Sequence, residues 1–235
     1  MEEKYDALVL RTTDYKDNDK ILTLFAAGKG KLTASCKGVR KAAAKLKFAA
    51  QPFCFAEYVL AERGGRYIVT SAYLHDGFYA LREDVTKFYA ASAVLEICNL
   101  LLPEEMAMDG LFVSAVHTLG KMCEGEAGEA LVSFLLTALQ QAGYGLSVGA
   151  CPDCGSPIGA SPYFDFERGC FCCKDCETDT RVSESTYRTI CNVTEGRAAD
   201  ATLDEMKRTL RFLREYFAQK TEYRSECLAE YIRLL

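Results

Sequence analysis

Histidine is scarce in this 235-residue chain: only His75 and His117 occur, and neither has a serine or cysteine in a nucleophile motif beside it. Histidine-based acid–base or nucleophilic chemistry therefore has little to work with, and both rings read as structural. No P-loop, GxGxxG, GxSxG or HExxH is present, so the sequence offers no fuel-burning or hydrolytic site. No uncharged apolar run approaches the ~20 residues that span a bilayer. The longest, ALVSFLLTAL at 130–139 and the stretch around 95–102, read as buried helices. MEEKYDALVL opens with acids and lacks a basic n-region, an apolar h-region and a cleavage site, so no secretory signal is expected. Internal repeats and low-complexity tracts are missing as well.

Cysteine, by contrast, is abundant, with 12 residues. A cytoplasmic setting keeps thiols reduced, so clustered cysteines point to metal ligation before disulfides. A hydrophobic content of 49% with 26% charged residues is that of a folded globular chain. The length allows one large domain or two to three small ones. The net charge of −5 conceals an asymmetry: residues 1–80 carry a balance of +4 and residues 81–235 one of −9. From Gly28 to Ala56 there are seven bases (Lys29, Lys31, Lys37, Arg40, Lys41, Lys45 and Lys47) and no acid.

The first eighty residues read as β. Tyr5–Thr12, Ile21–Ala26, Lys31–Cys36, Phe53–Ala61 and Arg66–Tyr73 are short runs rich in Val, Ile, Leu, Thr and aromatics, separated by turn residues. Gly64-Gly65 between two alternating runs predicts a hairpin. Five such strands in so short a span predict a small closed barrel, and the OB-fold has the right strand count. From Asp84 the period changes to helical. A helix capped by Asp84 runs to Leu102 and stops at Pro103; others span about Leu111–Met122 and Ala127–Ala142. Ser183 or Ser185 opens a short helix through Cys191, and a last one covers Ser225–Leu234. Thr202-Leu-Asp-Glu205 has capping-box spacing and leads into a further amphipathic helix. The expected class is α+β. Residues 1–80 are expected to form an OB-fold with a nucleic-acid-binding face, 81–150 and 177–235 a helical domain, and 151–176 an inserted four-cysteine module.

CPDCGSPIGASPYFDFERGCFCCKDC, from Cys151 to Cys176, carries the strongest signal. Cys151-x2-Cys154 and Cys173-x2-Cys176 fit the spacing of a tetrahedral four-cysteine zinc site. Each C-x2-C turn aims two thiolates at one ion, and Gly155 lets the knuckle close. Cys170-x2-Cys173 also fits; Cys173 and Cys176 are preferred because Cys170 and Cys172 follow Gly169 in an extended approach. A redox dithiol or an open catalytic zinc are the competing readings. The first lacks a thioredoxin-like βα context, and the second normally uses His or carboxylate ligands.

The acid-free basic run draws in phosphates, with release of condensed counterions. Phe48, Phe53, Phe55, Tyr58 and Tyr67 lie near it and are candidates for stacking on bases, although strand alternation must bury some. Phe53 and Phe55 are expected to share a face. Lys207, Arg211 and Arg214 form a basic stripe on a helix, where an acidic peptide could be received. Rival function classes are a zinc-containing transcription factor, which lacks a densely basic reading helix here, and a thiol-based redox protein.

In this order the motifs resemble the RecO family of bacterial recombination mediators over essentially the whole chain. YDALVLRTTDYKDNDKILTLFAAGKGKLTASCKGVRK looks like that family's opening, with Lys37-Gly38-Val39-Arg40-Lys41 as its basic segment. QPF at 51–53 and CPDCG with a later C-x2-C complete the likeness. Two segments depart from the family pattern: Gly169-Cys170 replaces a Gly-Gly, and AAAKLKFAA follows the basic segment. The resemblance implies a non-enzymatic, cytoplasmic, nucleoid-associated protein that binds single- and double-stranded DNA and anneals complementary strands. It further implies a partnership with RecR, contact with the acidic tail of single-strand-binding protein, and help in loading RecA.

Overall fold

The computed structural model describes residues 2–176, 178 and 180–235. It forms two compact units, 1–125 and 126–235. The first contains β1 (Glu2–Tyr15), β2 (Asp19–Ala26), β3 (Gly30–Cys36), β4 (Phe55–Arg63) and β5 (Arg66–Asp76), followed by α1 (Val85–Leu101) and α2 (Asp109–Glu124). The strands close into a barrel in the order β1-β2-β3-β5-β4, as expected for an OB-fold. Antiparallel β1–β4 pairing forms one side of the closure. On the other side β3 runs parallel to β5 through Ala34↔Tyr67 and Ser35↔Ile68.

Alternation decides what lies inside. Along β3, Gly30, Leu32, Ala34 and Cys36 are buried while Lys31, Thr33 and Ser35 point outward. Leu22, Leu24, Tyr58, Leu60 and Val69 complete the same core. The Tyr58 hydroxyl satisfies itself there by donating to the Ala49 carbonyl at 2.7 Å. Gly64 and Gly65 have φ of 59° and 71°, the left-handed pair that a tight hairpin needs.

Helices continue the barrel unit past residue 80. β1 buries Leu8 and Leu10 as well as Ala7 and Val9, so both of its faces are covered, and α1 packs on it. Phe112 of α2 meets Phe25 edge-on at 5.2 Å and Phe55 at 5.9 Å. The Asp84 carboxylate caps α1 by accepting from the amides of Thr86 and Lys87.

One strand reading needs correction. β4 starts at Phe55, because Phe53 has a φ of 68° and turns the chain out of alternation. Phe53 and Phe55 therefore do not share a face. Phe53 is buried, packs edge-on to Phe88 at 5.7 Å and lies under the Arg82 guanidinium.

The second unit holds α3 (Ala127–Gln141), α4 (Glu184–Thr194), α5 (Leu203–Thr221) and α6 (Glu226–Leu234), with a small sheet of β6 (Tyr163–Asp165), β7 (Cys170–Cys172) and β8 (Thr180–Arg181). Ser183, Thr202 and Ser225 cap α4, α5 and α6, and Thr202 with Glu205 makes the expected capping box. Phe164, Phe171, Phe212 and Tyr216 cluster edge-on at 4.8–5.3 Å, tying the small sheet to α5. No helix among the described residues is long and apolar enough to cross a membrane.

Candidate nucleic-acid interface and metal centre

On the barrel a groove of about 510 Å³ runs over β2, β3 and β5. Its base is formed by Ile21, Thr33, Ser35 and Ile68, its rim by Tyr15, Lys16, Lys37, Arg63, Arg66 and Tyr67. Four bases face one acid, Asp19, whose carboxylate already accepts from the Gly38 amide at 2.7 Å. Lys16 stands over the Tyr15 ring at 5.2 Å. Lys37, Arg63 and Arg66 are exposed, and Tyr67 is half-buried with its ring partly against the barrel core. A positively charged trough edged by two tyrosines can follow a phosphate backbone and offer rings to bases.

The seven bases of the acid-free run scatter when folded. Lys29 pairs with Glu105 at 3.7 Å, and Lys31 donates to the Asn99 carbonyl at 2.9 Å, so both are tied to neighbouring segments. Arg40 is exposed but pairs with Asp14 at 3.3 Å. Lys41, Lys45 and Lys47 are exposed on the stretch before β4. Only Lys37 of the seven lines the groove. Sequence reading overlooked Tyr15, Lys16, Arg63 and Arg66. Arg63 and Arg66 flank the Gly64-Gly65 hairpin, and that flanking pair was the available signal.

Among the five aromatics near the run, Tyr58 and Phe53 are core residues with 0% and 1% exposure. Phe48 and Phe55 are half-buried, the former packed on the barrel core. Only Tyr67 reaches the groove. His75 lies against the Asp6 carboxylate at 2.7 Å, and His117 is exposed on α2. On α5, Lys207 and Arg214 are half-buried and Arg211 is exposed; the Arg214 Nε is buried without a hydrogen-bond partner.

In the second unit the chain gathers four thiols. The Cys151 amide donates to the Ser156 carbonyl and the Gly155 amide to the Cys151 carbonyl, both at 2.8 Å, folding CPDCG into a knuckle. Gly155 makes this turn at a φ of 74°. A 3₁₀ turn at Lys174–Cys176, closed by the Cys176 amide on the Cys173 carbonyl, forms the second. The sulfurs of Cys151, Cys154, Cys173 and Cys176 all lie within 4.8 Å of one another, and those of Cys154 and Cys173 are 3.6 Å apart. A tetrahedral ion with metal–sulfur bonds of about 2.3 Å needs sulfurs about 3.8 Å apart, so the donor set fits.

Electrostatics agrees with that fit. The backbone amide of Cys173, with those of Asp153 and Cys154, holds the Cys151 thiol down at about 6. The Ser156 hydroxyl and amide lower Cys154. Burial raises Cys173, and hydrogen bonding to Cys154 together with burial pushes Cys176 up to about 12. Holding a cation would require all four thiols to give up their protons, so binding there is linked to pH.

Barrel, helices and four-thiol cluster together define a two-unit OB-fold protein with a four-cysteine cluster able to hold a metal ion. Family models for the N-terminal and C-terminal parts of Recombination protein O match residues 1–78 and 82–225. The chain belongs to the RecO family of DNA repair proteins. It is 33% identical over 185 residues to DNA repair protein RecO of Myxococcus xanthus, covering 77% of this chain and 76% of the relative. It is 27% identical over 228 residues to that of Acetivibrio thermocellus, covering 90% of each. With that of Desulforamulus reducens it shares 28% over 232 residues, 92% of this chain and 90% of the relative.

Proposed function

We propose that this protein is a non-enzymatic, cytoplasmic and nucleoid-associated recombination mediator. It binds single- and double-stranded DNA and brings complementary strands together. The observation that carries this reading is the groove on β2, β3 and β5, where Lys16, Lys37, Arg63 and Arg66 surround two tyrosines. That face is where OB-folds take up oligonucleotides. Charge neutralisation lets two phosphate backbones approach, and no bond is made or broken by the protein. Lys41, Lys45 and Lys47, exposed beside the barrel, extend the basic surface, with Arg40 partly offset by Asp14.

In this reading the chain acts with RecR and contacts the acidic tail of single-strand-binding protein, so that RecA can be loaded onto a coated strand. The basic stripe of Lys207, Arg211 and Arg214 is a candidate for the acidic tail. The metal is zinc, held by Cys151, Cys154, Cys173 and Cys176. Four thiolates leave zinc no open position, so it supplies folding energy and no catalysis.

Annealing tests the reading directly. Complementary labelled oligonucleotides, naked or coated with the cognate single-strand-binding protein, are mixed with wild type or with Lys37→Glu/Arg66→Glu. Rapid pairing of coated strands by wild type, lost in the variant, is the expected result. Binding of naked strands without annealing of coated ones refutes the mediator role and leaves the DNA surface standing.

A further inference from the structure

Cys172 is fully buried beside the four-thiol cluster and is not one of its four donors. Alternation along β7 turns Cys170 and Cys172 to one face, where they pack with Cys151 and Cys173, while Phe171 joins the rings of Phe164, Phe212 and Tyr187 on the other. The sulfurs of Cys151 and Cys172 and a carboxylate oxygen of Asp153 all lie within 4.8 Å of one another. Cys151 thus belongs to two donor sets at once. We infer that a second divalent metal ion binds between Cys172, Asp153 and Cys151, with the Cys151 thiolate bridging it to the first.

The Asp153 carboxylate is already divided between two tasks. One oxygen accepts from Arg168 at 2.9 Å, and the other lies 3.9 Å from the Cys172 sulfur. Tetrahedral bonds of about 2.3 Å to sulfur and 2.1 Å to oxygen put such a pair about 3.6 Å apart, so little movement is needed. Two sulfurs and one oxygen form a borderline-soft set that suits zinc better than calcium or magnesium. The charges also balance. The second ion brings two positive charges, which offset the Asp153 carboxylate and the thiolate left when Cys172 gives up its proton to solvent. Arg168 stays paired with Asp153 outside. Three protein donors leave the fourth position of a tetrahedral ion open. A buried cysteine is ordinarily a small apolar filler. What sets Cys172 apart is a carboxylate and a second thiol, both within ligand distance of it.

The inference rests on the four-thiol site being a metal centre, and the experiment separates the two. Full-length protein is loaded with excess zinc, passed over a chelating resin, and its zinc measured by mass spectrometry against protein concentration. Two ions per wild-type chain are expected, falling to one in Cys172→Ala and in Asp153→Asn, the latter at an exposed position that does not disturb packing. One ion in wild type, unchanged in both variants, overturns the second site and leaves the first. Zinc-free wild type removes both. Two ions retained in both variants overturns the assignment to these residues. A cobalt titration of wild type, followed by thiolate-to-metal charge transfer, gives a check independent of any variant. A break at two equivalents supports the bridge, and a break at one refutes it.

Discussion

Replacing Lys37 and Arg66 by alanine leaves the barrel core untouched, since both side chains are exposed on the groove rim. If Lys16, Lys37, Arg63 and Arg66 each neutralise one phosphate of a single strand, log K falls against log salt with a slope of about −2.8. Raising salt from about 50 to about 200 mM then weakens wild-type binding about 50-fold. With two bases left the slope is about −1.4 and the loss only about 7-fold. The assay is fluorescence anisotropy of a labelled oligothymidine at several salt concentrations, with Lys29→Ala/Lys31→Ala as the counterpart. Those two lysines belong to the same basic run but are held by Glu105 and by the Asn99 carbonyl, so their removal should leave the slope unchanged. A slope that flattens equally in both double variants refutes the assignment to the groove and returns the interface to the linear run.

Cys173→Ser should strip the metal and lower the midpoint of thermal unfolding; full metal content would mean that a neighbouring thiol has taken its place. Tyr58→Phe leaves the Ala49 carbonyl without its buried donor and should cost about 1–2 kcal/mol in urea unfolding. Asp84 has its carboxyl lowered from the ordinary 3.8, chiefly by the Lys87 amide. A depressed folded value means that its stabilising effect is complete above 3.8 and is lost as pH falls through the lower, folded value. The stability gap between wild type and Asp84→Ala should therefore be widest near neutrality and close under strong acid, as read by circular dichroism.

Local chemistry made the helices legible. Asp84, Ser183, Thr202 and Ser225 each accept an amide hydrogen within three residues, so their signals never leave a single turn. The cysteine knuckles were legible for the same reason, and the 3₁₀ turn that brings Cys173 and Cys176 together favours Cys176 over Cys170 in the cluster. The groove was not, because it depends on β3 meeting β5, a pairing between residues 34–35 and 67–68 that no local pattern announces. Lys37 lies in a conspicuous basic run, whereas Arg63 and Arg66 look like ordinary hairpin shoulders until Tyr67 comes alongside Ala34. Phe53 misled because alternation assumes continuous extended backbone, and its positive φ breaks that assumption.

The seam between β3 and β5 is held by two register pairs, whereas β4 and β5 share nine. It is therefore the barrel's weakest joint, and it forms only after a long loop has closed. Thr33, Ser35, Tyr67 and Ile68 line the groove on either side of it, so a strand lying there straddles the joint like a splint. By linkage, a strand present at about 100 times its dissociation constant adds about 2.7 kcal/mol against opening. If the groove holds DNA as proposed, amide exchange in β3 and β5 becomes a gauge of occupancy, and loosening the seam weakens that hold without touching a single base.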